Sequence, residues 1–195
     1  MRHAIIESHR GVDAIPIEDE LLRHREIYFA DEVTDESSNE LIMQLMYLEK
    51  QNPDEKITLY INSPGGSVQP GLAVYDLIML LHAPVHTVCI GTCASMGAIL
   101  FLAGKDRGIM EHGKIMIHDP AFGGGRTMGG KKPHEIQTEL DDLNRCKEVL
   151  AKIISERTGK TLDEIYAVTA EDSYYNAEEA IEFGLATNII KRKES

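Results

Sequence analysis

Two stretches of the chain place polar groups where a strand gives way to a helix, and both hold residue types used in acyl chemistry. The first is Asn62-Ser63-Pro64-Gly65-Gly66-Ser67. Gly65-Gly66 precedes a helix-forming run, so free backbone N–H groups stand beside it, ready to cradle an anion or an oxyanion. A glycine pair also makes a plain sharp turn, and a short glycine motif alone is weak evidence. No Gly-Lys-Ser/Thr follows, so this is not a phosphate-binding P-loop. The second stretch is Gly91-Thr92-Cys93-Ala94-Ser95-Met96-Gly97. Ser95 there is either a simple N-cap or a nucleophile, with the next backbone N–H aimed at an oxyanion. Cys93 stands where a Gly-x-Ser-x-Gly elbow needs its first glycine, which argues against an α/β-hydrolase elbow.

A nucleophilic serine needs a base. Of the eight histidines, most lie in polar or loop contexts that read as surface. His118 differs: it ends the apolar run Lys114-Ile115-Met116-Ile117 and precedes Asp119-Pro120, a strand-end position of the kind that carries catalysis. A structural histidine is the bland alternative. A metal site would recruit His112, His118 and Asp119, but no helical His-x-x-x-His spacing supports one. Spacing leaves the orienting carboxylate open. Asp119 is adjacent, yet neighbouring strand residues face opposite ways. Asp172 lies between two helices near the end of the chain, while Asp163 and Glu164 read as solvated charges at a helix start.

These residues need elements to position them. Leu21-Leu22 begins a helical turn, and Glu26 to Ala30 reads as a strand. Ser37 to Gln51 is an amphipathic helix with Leu41, Leu45 and Leu48 in phase and Ser37 or Ser38 as its cap. Strand Ile57–Ile61, the first turn and helix Val68–Leu81 form one unit. Strand Val85–Ile90, a turn over Gly91–Ser95 and the very apolar helix Met96–Ala103 form a second. Ile109-Met110 and Lys114–Ile117 are short strands, and the glycines from Gly123 to Gly130 make a loop or hairpin. Helix His134–Arg157 carries an Ile136, Leu140, Leu143, Leu150, Ile154 stripe and ends at Gly159. Helices at Leu162–Val168 and Ala177–Phe183 and a strand at Leu185–Ile190 complete an alternating α/β pattern.

Composition sets the outer limits. The 195 residues suit one domain after a loosely patterned arm of about twenty residues, and the net charge of −12 makes nucleic acid a poor partner. No apolar run reaches the roughly 18 residues of a membrane span, and charge arrives too early at the N-terminus for a secretory leader, so the expected compartment is the cytoplasm. Cys89, Cys93 and Cys146 match no zinc spacing; Cys89 and Cys93 read as packing residues.

Taken together, Leu59-Tyr60-Ile61-Asn62-Ser63-Pro64-Gly65-Gly66-Ser67, Ala94-Ser95-Met96-Gly97-Ala98, Met116-Ile117-His118, Ser155-Glu156-Arg157-Thr158-Gly159 and Glu178-Glu179-Ala180 through Phe183-Gly184-Leu185 resemble the proteolytic subunit of the Clp protease, a self-compartmentalised serine peptidase. The resemblance runs from about Leu21 to Ile190. It implies a crotonase-like α/β fold of repeated β-β-α units in a right-handed spiral, with a protruding handle at about 119–158 inside a single domain spanning 21–195, and residues 1–20 as an axial-loop arm. It implies Ser95 as nucleophile, His118 as base, Asp172 as the carboxylate orienting it, and the Gly66 and Met96 amides as oxyanion hole. The substrates would be unfolded polypeptides and short peptides. No metal or nucleotide is implied in this subunit. The partners would be copies of the chain in two stacked seven-membered rings, a tetradecamer, fed by a hexameric AAA+ unfoldase that spends the ATP.

The chain departs from that pattern in places. Asp119 stands where the family usually has Gln. Gly123–Pro133 carries a few extra residues. Ala170 and Glu171 replace an Asp-Arg pair that links the two rings. These changes point to a rewired ring interface, stacked through different contacts or onto a non-identical partner ring. A partner-dependent structural or regulatory subunit of a mixed complex is therefore the second reading, and a crotonase-fold acyl-CoA enzyme the third.

Overall fold

The computed structural model describes residues 3–8, 11–122 and 130–191. The chain opens with an antiparallel pair, β1 (His3–Ser8) and β2 (Gly11–Pro16). Helix α1 (Ile17–Arg23) follows at once, with Glu18, Asp19 and Glu20 in its first turn, where the helix dipole favours anions. It begins earlier than the Leu21-Leu22 signal predicts because Pro16 takes the N-cap position and those acids fill the turn behind it. The helix thus crosses the boundary drawn at residue 20, and its Leu22 packs on the core.

The main body alternates strands and helices: β3 (Glu26–Phe29), α2 (Asp35–Gln51), β4 (Ile57–Ser63), α3 (Val68–Leu80), β5 (Val85–Ala94), α4 (Met96–Leu102), β6 (Arg107–Met110) and β7 (Lys114–Ile117). Then come α5 (Pro133–Thr158), α6 (Leu162–Thr169), β8 (Ser173–Tyr175), α7 (Ala177–Phe183) and β9 (Asn188–Ile190). Strands β3, β4, β5, β6 and β9 lie side by side in that order, all parallel. This is the α/β architecture that the alternation predicts, since parallel neighbours need long crossover connections.

Strand β5 is the pivot. Its Thr87–Cys89 segment pairs with β6, and its Thr92–Ala94 segment pairs with β7. The stretch from Gly91 to Ala94, expected as a turn, is therefore strand. Its pairing with β4 breaks between Ile61 and Ser63, and the Asn62 side chain fills the gap by accepting the Thr92 N–H at 2.9 Å. The small residues there serve a change of partner strand, which looks like a turn in sequence. Only Ser95 itself turns the chain.

Helix α2 starts at Asp35, with Thr34 as its cap rather than Ser37 or Ser38. Thr34 Oγ1 accepts the Ser37 N–H, and Ser37 Oγ accepts the Thr34 N–H, so Ser37 is the third helical residue of a reciprocal capping pair. Leu41, Leu45 and Leu48 of this helix are buried in the same core as Leu59 and Ile61 of β4 and the wholly buried α4. Cys89 and Cys93 are fully buried, as packing residues should be. In α5 only Leu150, Ala151, Ile153 and Ile154 are buried, so the apolar stripe continues along a half-helix that the described residues leave partly exposed. The segment Gly123–Gly129, expected as loop and insertion, lies outside the described residues. Among the described residues no helix is long and apolar enough to cross a membrane.

Candidate active site

Three strand ends converge on one point. Ser95 follows β5 at φ 53°, ψ −122°, a left-handed conformation rare for a residue with a side chain. Its N–H donates to Met116 O at 2.9 Å, which fixes the turn to β7. Ser95 occupies the N-cap position of α4, but its hydroxyl makes no capping bond. The hydroxyl instead lies 2.9 Å from His118 Nε2.

His118 leaves β7 beside β8, whose register pairs Ile117 with Ser173. The next pair outward is His118 and Asp172, and His118 Nδ1 lies 3.1 Å from Asp172 Oδ1. An ionised carboxylate only accepts, so Nδ1 carries the hydrogen and Nε2 of the neutral ring is the acceptor facing the serine. Of the two carboxylates that spacing left open, the one in contact with His118 is Asp172. Asp119 faces elsewhere: its carboxylate accepts from Thr169 Oγ1 at 2.7 Å and from Lys147 Nζ at 2.6 Å. Among the described residues no group of three or more His, Cys, Asp or Glu gathers as metal ligands.

The glycine turn packs directly on the serine turn. A Cβ on Gly65, at φ 94°, would lie 2.6 Å from Ala94 O and 2.7 Å from Ser95 Cβ. Gly66, at φ 146°, is clamped by Val33: Val33 N–H donates to Gly65 O and Ser67 N–H to Val33 O, both at 2.7 Å. A Cβ on Gly66 would fall 2.3 Å from Val33 O. This bridge occupies the groups on either side of Gly66 and leaves the Gly66 N–H with no acceptor among the described residues. Met96 is the first residue of α4, where an amide has no intrahelical acceptor. Of the residues that hold the turn, Val33 gives no sequence signal, and Ser63 reads only as part of the turn motif. Ser63 Oγ donates to Asp31 O at 2.5 Å and accepts from Gly65 N at 3.2 Å.

Beside Ser95 a cleft is walled by Val68, Met96, Ile99, Ile117, Leu150 and Ile154, with His118 and Pro120 at its edge. The arrangement therefore offers a serine hydroxyl within hydrogen-bond distance of an imidazole, a carboxylate behind it, two spare amides nearby and an apolar recess.

Comparison with known proteins agrees with this chemistry. The Clp protease family profile matches residues 9–193. The chain is 41% identical over 191 residues to ATP-dependent Clp protease proteolytic subunit 2 of Parasynechococcus marenigrum (strain WH8102), covering 97% of this chain and 94% of that protein. It is 40% identical over 191 residues to ATP-dependent Clp protease proteolytic subunit 1 of Prochlorococcus marinus (strain NATL2A), covering 97% and 95%. Matches of this extent, together with the serine–histidine–carboxylate geometry, settle the kinship: the chain belongs to the Clp protease family and is a serine endopeptidase subunit of that type.

Proposed function

We propose that this subunit hydrolyses unfolded polypeptides and short peptides with Ser95 as nucleophile, His118 as general base and acid, and Asp172 as the group that orients His118. The observation that carries this reading is the continuous contact from Ser95 Oγ to His118 Nε2 and from His118 Nδ1 to Asp172. His118 takes the hydroxyl proton as Ser95 attacks the scissile carbonyl, and the Gly66 and Met96 amides receive the oxyanion. His118 then protonates the leaving amine, and water, activated by the same ring, releases the acyl-enzyme. Every proton in this cycle moves through His118, so the subunit needs neither metal nor nucleotide.

The same reading makes the working unit an assembly. Met43, Met46, Tyr47, Met79 and Leu80 are exposed on α2 and α3, and Leu140 is exposed on α5. An apolar surface of this kind supports association of copies into stacked rings around a chamber. A separate ATP-driven unfoldase would feed that chamber in the cytoplasm. The second reading, a subunit dependent on a non-identical partner ring, is favoured by one observation: Ala170 and Glu171 are exposed beside Asp172, at positions where the family resemblance implies a ring-linking Asp-Arg pair.

Hydrolysis of a fluorogenic short peptide by the purified assembly tests the proposal, with native mass spectrometry giving its size. Ser95→Ala and His118→Ala are each expected to lower kcat by about 10⁴-fold or more. Peptidase activity that survives Ser95→Ala would overturn it. Activity appearing only after a second Clp subunit is added would favour the partner-dependent reading.

A further inference from the structure

The segment just past His118 is fastened in a way that the triad alone does not require. Asp119 N–H donates to Thr169 O at 2.7 Å, and Thr169 Oγ1 donates back to Asp119 Oδ1 at 2.7 Å. The other carboxylate oxygen accepts from Lys147 Nζ at 2.6 Å, and the same ammonium lies 5.3 Å from the Tyr166 ring centroid. Thr169 is only 3% exposed. It ends α6, on the short stretch leading to Asp172.

His118 and Asp172 therefore sit between two fastenings. On one side is the Ile117–Ser173 ladder, reinforced by Ser173 Oγ donating to Val168 O at 2.6 Å. On the other is the double Asp119–Thr169 bond. Lys147 ties the second fastening to α5, and helical spacing puts Lys147 on the same face as Leu150 and Ile154, which wall the cleft beside Ser95.

We propose that Asp119, Thr169 and Lys147 form a positioning latch for the catalytic pair, with Thr169 setting the distance between His118 and Asp172 and Lys147 holding that setting in register with the α5 wall of the cleft. The latch touches neither substrate nor reacting atoms and acts only through His118. It rests on the active-site reading given above. An error of about 1 Å in a reacting group costs up to about 10²-fold in rate, so a loosened latch reads out in kcat.

The test uses the assembled protease, with matched assembly size checked by native mass spectrometry. Thr169→Val keeps the shape and removes the hydroxyl. It is expected to lower kcat and the rate of fluorophosphonate labelling of Ser95 together, by about 10–100-fold, with KM within about twofold. Thr169→Ser restores the hydroxyl and is expected to recover the rate to within about threefold. A Thr169→Val enzyme as fast as wild type overturns the latch. So does a loss confined to KM, or a serine variant as slow as the valine variant, since either marks mere packing. If Thr169→Val does not fold, Lys147→Met decides: a fall in kcat at constant KM supports the latch, and an unchanged kcat overturns it. Ser95-dependent labelling that ignores these variants removes the latch alone, whereas wild type that labels nowhere at Ser95 removes the active-site reading and the latch with it.

Discussion

Ile117 of β7 lies directly across from Ser173 of β8, and this one antiparallel pair brings His118 to Asp172 from opposite ends of a long excursion through α5 and α6. Strand pairing, rather than any local motif, sets the distance between base and carboxylate. The nucleophile arrives by a second pairing, Thr92–Ala94 with Lys114–Met116, which ends one residue short of Ser95 and one short of Ile117. The active site is thus a property of how β5 changes partners.

The glycine turn is the first place to test that architecture. Gly66→Ala would drive a Cβ into the Val33 carbonyl at a φ that side chains rarely adopt. It is expected to cost about 2 kcal/mol or more in urea unfolding and to slow Ser95 acylation even in the folded fraction, because the clash displaces the Gly66 amide. A variant with wild-type stability and acylation rate would show that the Val33 clamp does not set the position of this turn.

The cleft predicts a preference. With Val68, Ile99, Ile117, Leu150 and Ile154 as walls, a leucine or methionine side chain on the acyl side of the scissile bond should be accepted and a charged one refused. Turnover of matched peptides is expected to differ by about tenfold or more in kcat/KM. Equal rates for leucine and aspartate would place the substrate elsewhere.

Much of this was legible before the fold. Strand-turn-helix alternation gives the α/β class, and the two turns and the strand-end histidine mark Gly65-Gly66, Ser95 and His118 as candidates, while their roles follow only from the resemblance to the Clp family. Spacing could not choose Asp172 over Asp119, because the choice depends on a three-residue strand, β8, too short to show a period. Cys93 and Thr92 resemble turn residues because a partner switch, like a turn, needs small side chains. The cap of α2 was misplaced since two serines outcompete one threonine on sequence, while the geometry at Thr34 decides.

Arg25 carries stability that no motif announces. Its backbone is left-handed at φ 59°, its side chain is buried, and its guanidinium donates to Leu48 O, Asn52 O, Glu55 O and Lys56 O at 2.8–3.2 Å. Arg25→Met strands these carbonyls and is expected to destabilise by about 3 kcal/mol. Urea unfolding measures it, and kcat per labelled Ser95 should hold, since Arg25 is remote from the cleft.

Acid sensitivity has a local contribution at the start of α6. The Thr161 N–H and hydroxyl both donate to Glu164 Oε2 at 2.8 Å, and these bonds hold the Glu164 carboxyl below its ordinary value. A carboxyl lowered on folding stabilises above its unfolded pKa, near 4.3, and loses that contribution as pH falls through the lower folded value. The Tm gap between wild type and Glu164→Gln should therefore be open at neutral pH and close below pH of about 4. A gap that widens with acid would contradict the assignment.

The most direct measurement is intact-mass analysis after treatment with a fluorophosphonate probe, comparing wild type with Ser95→Ala. Activation of Ser95 by His118 predicts one adduct per chain, absent from the variant and slowed in His118→Ala by about 10³-fold or more. An adduct that persists in Ser95→Ala, or a wild-type assembly that takes up none, would contradict the account at its centre.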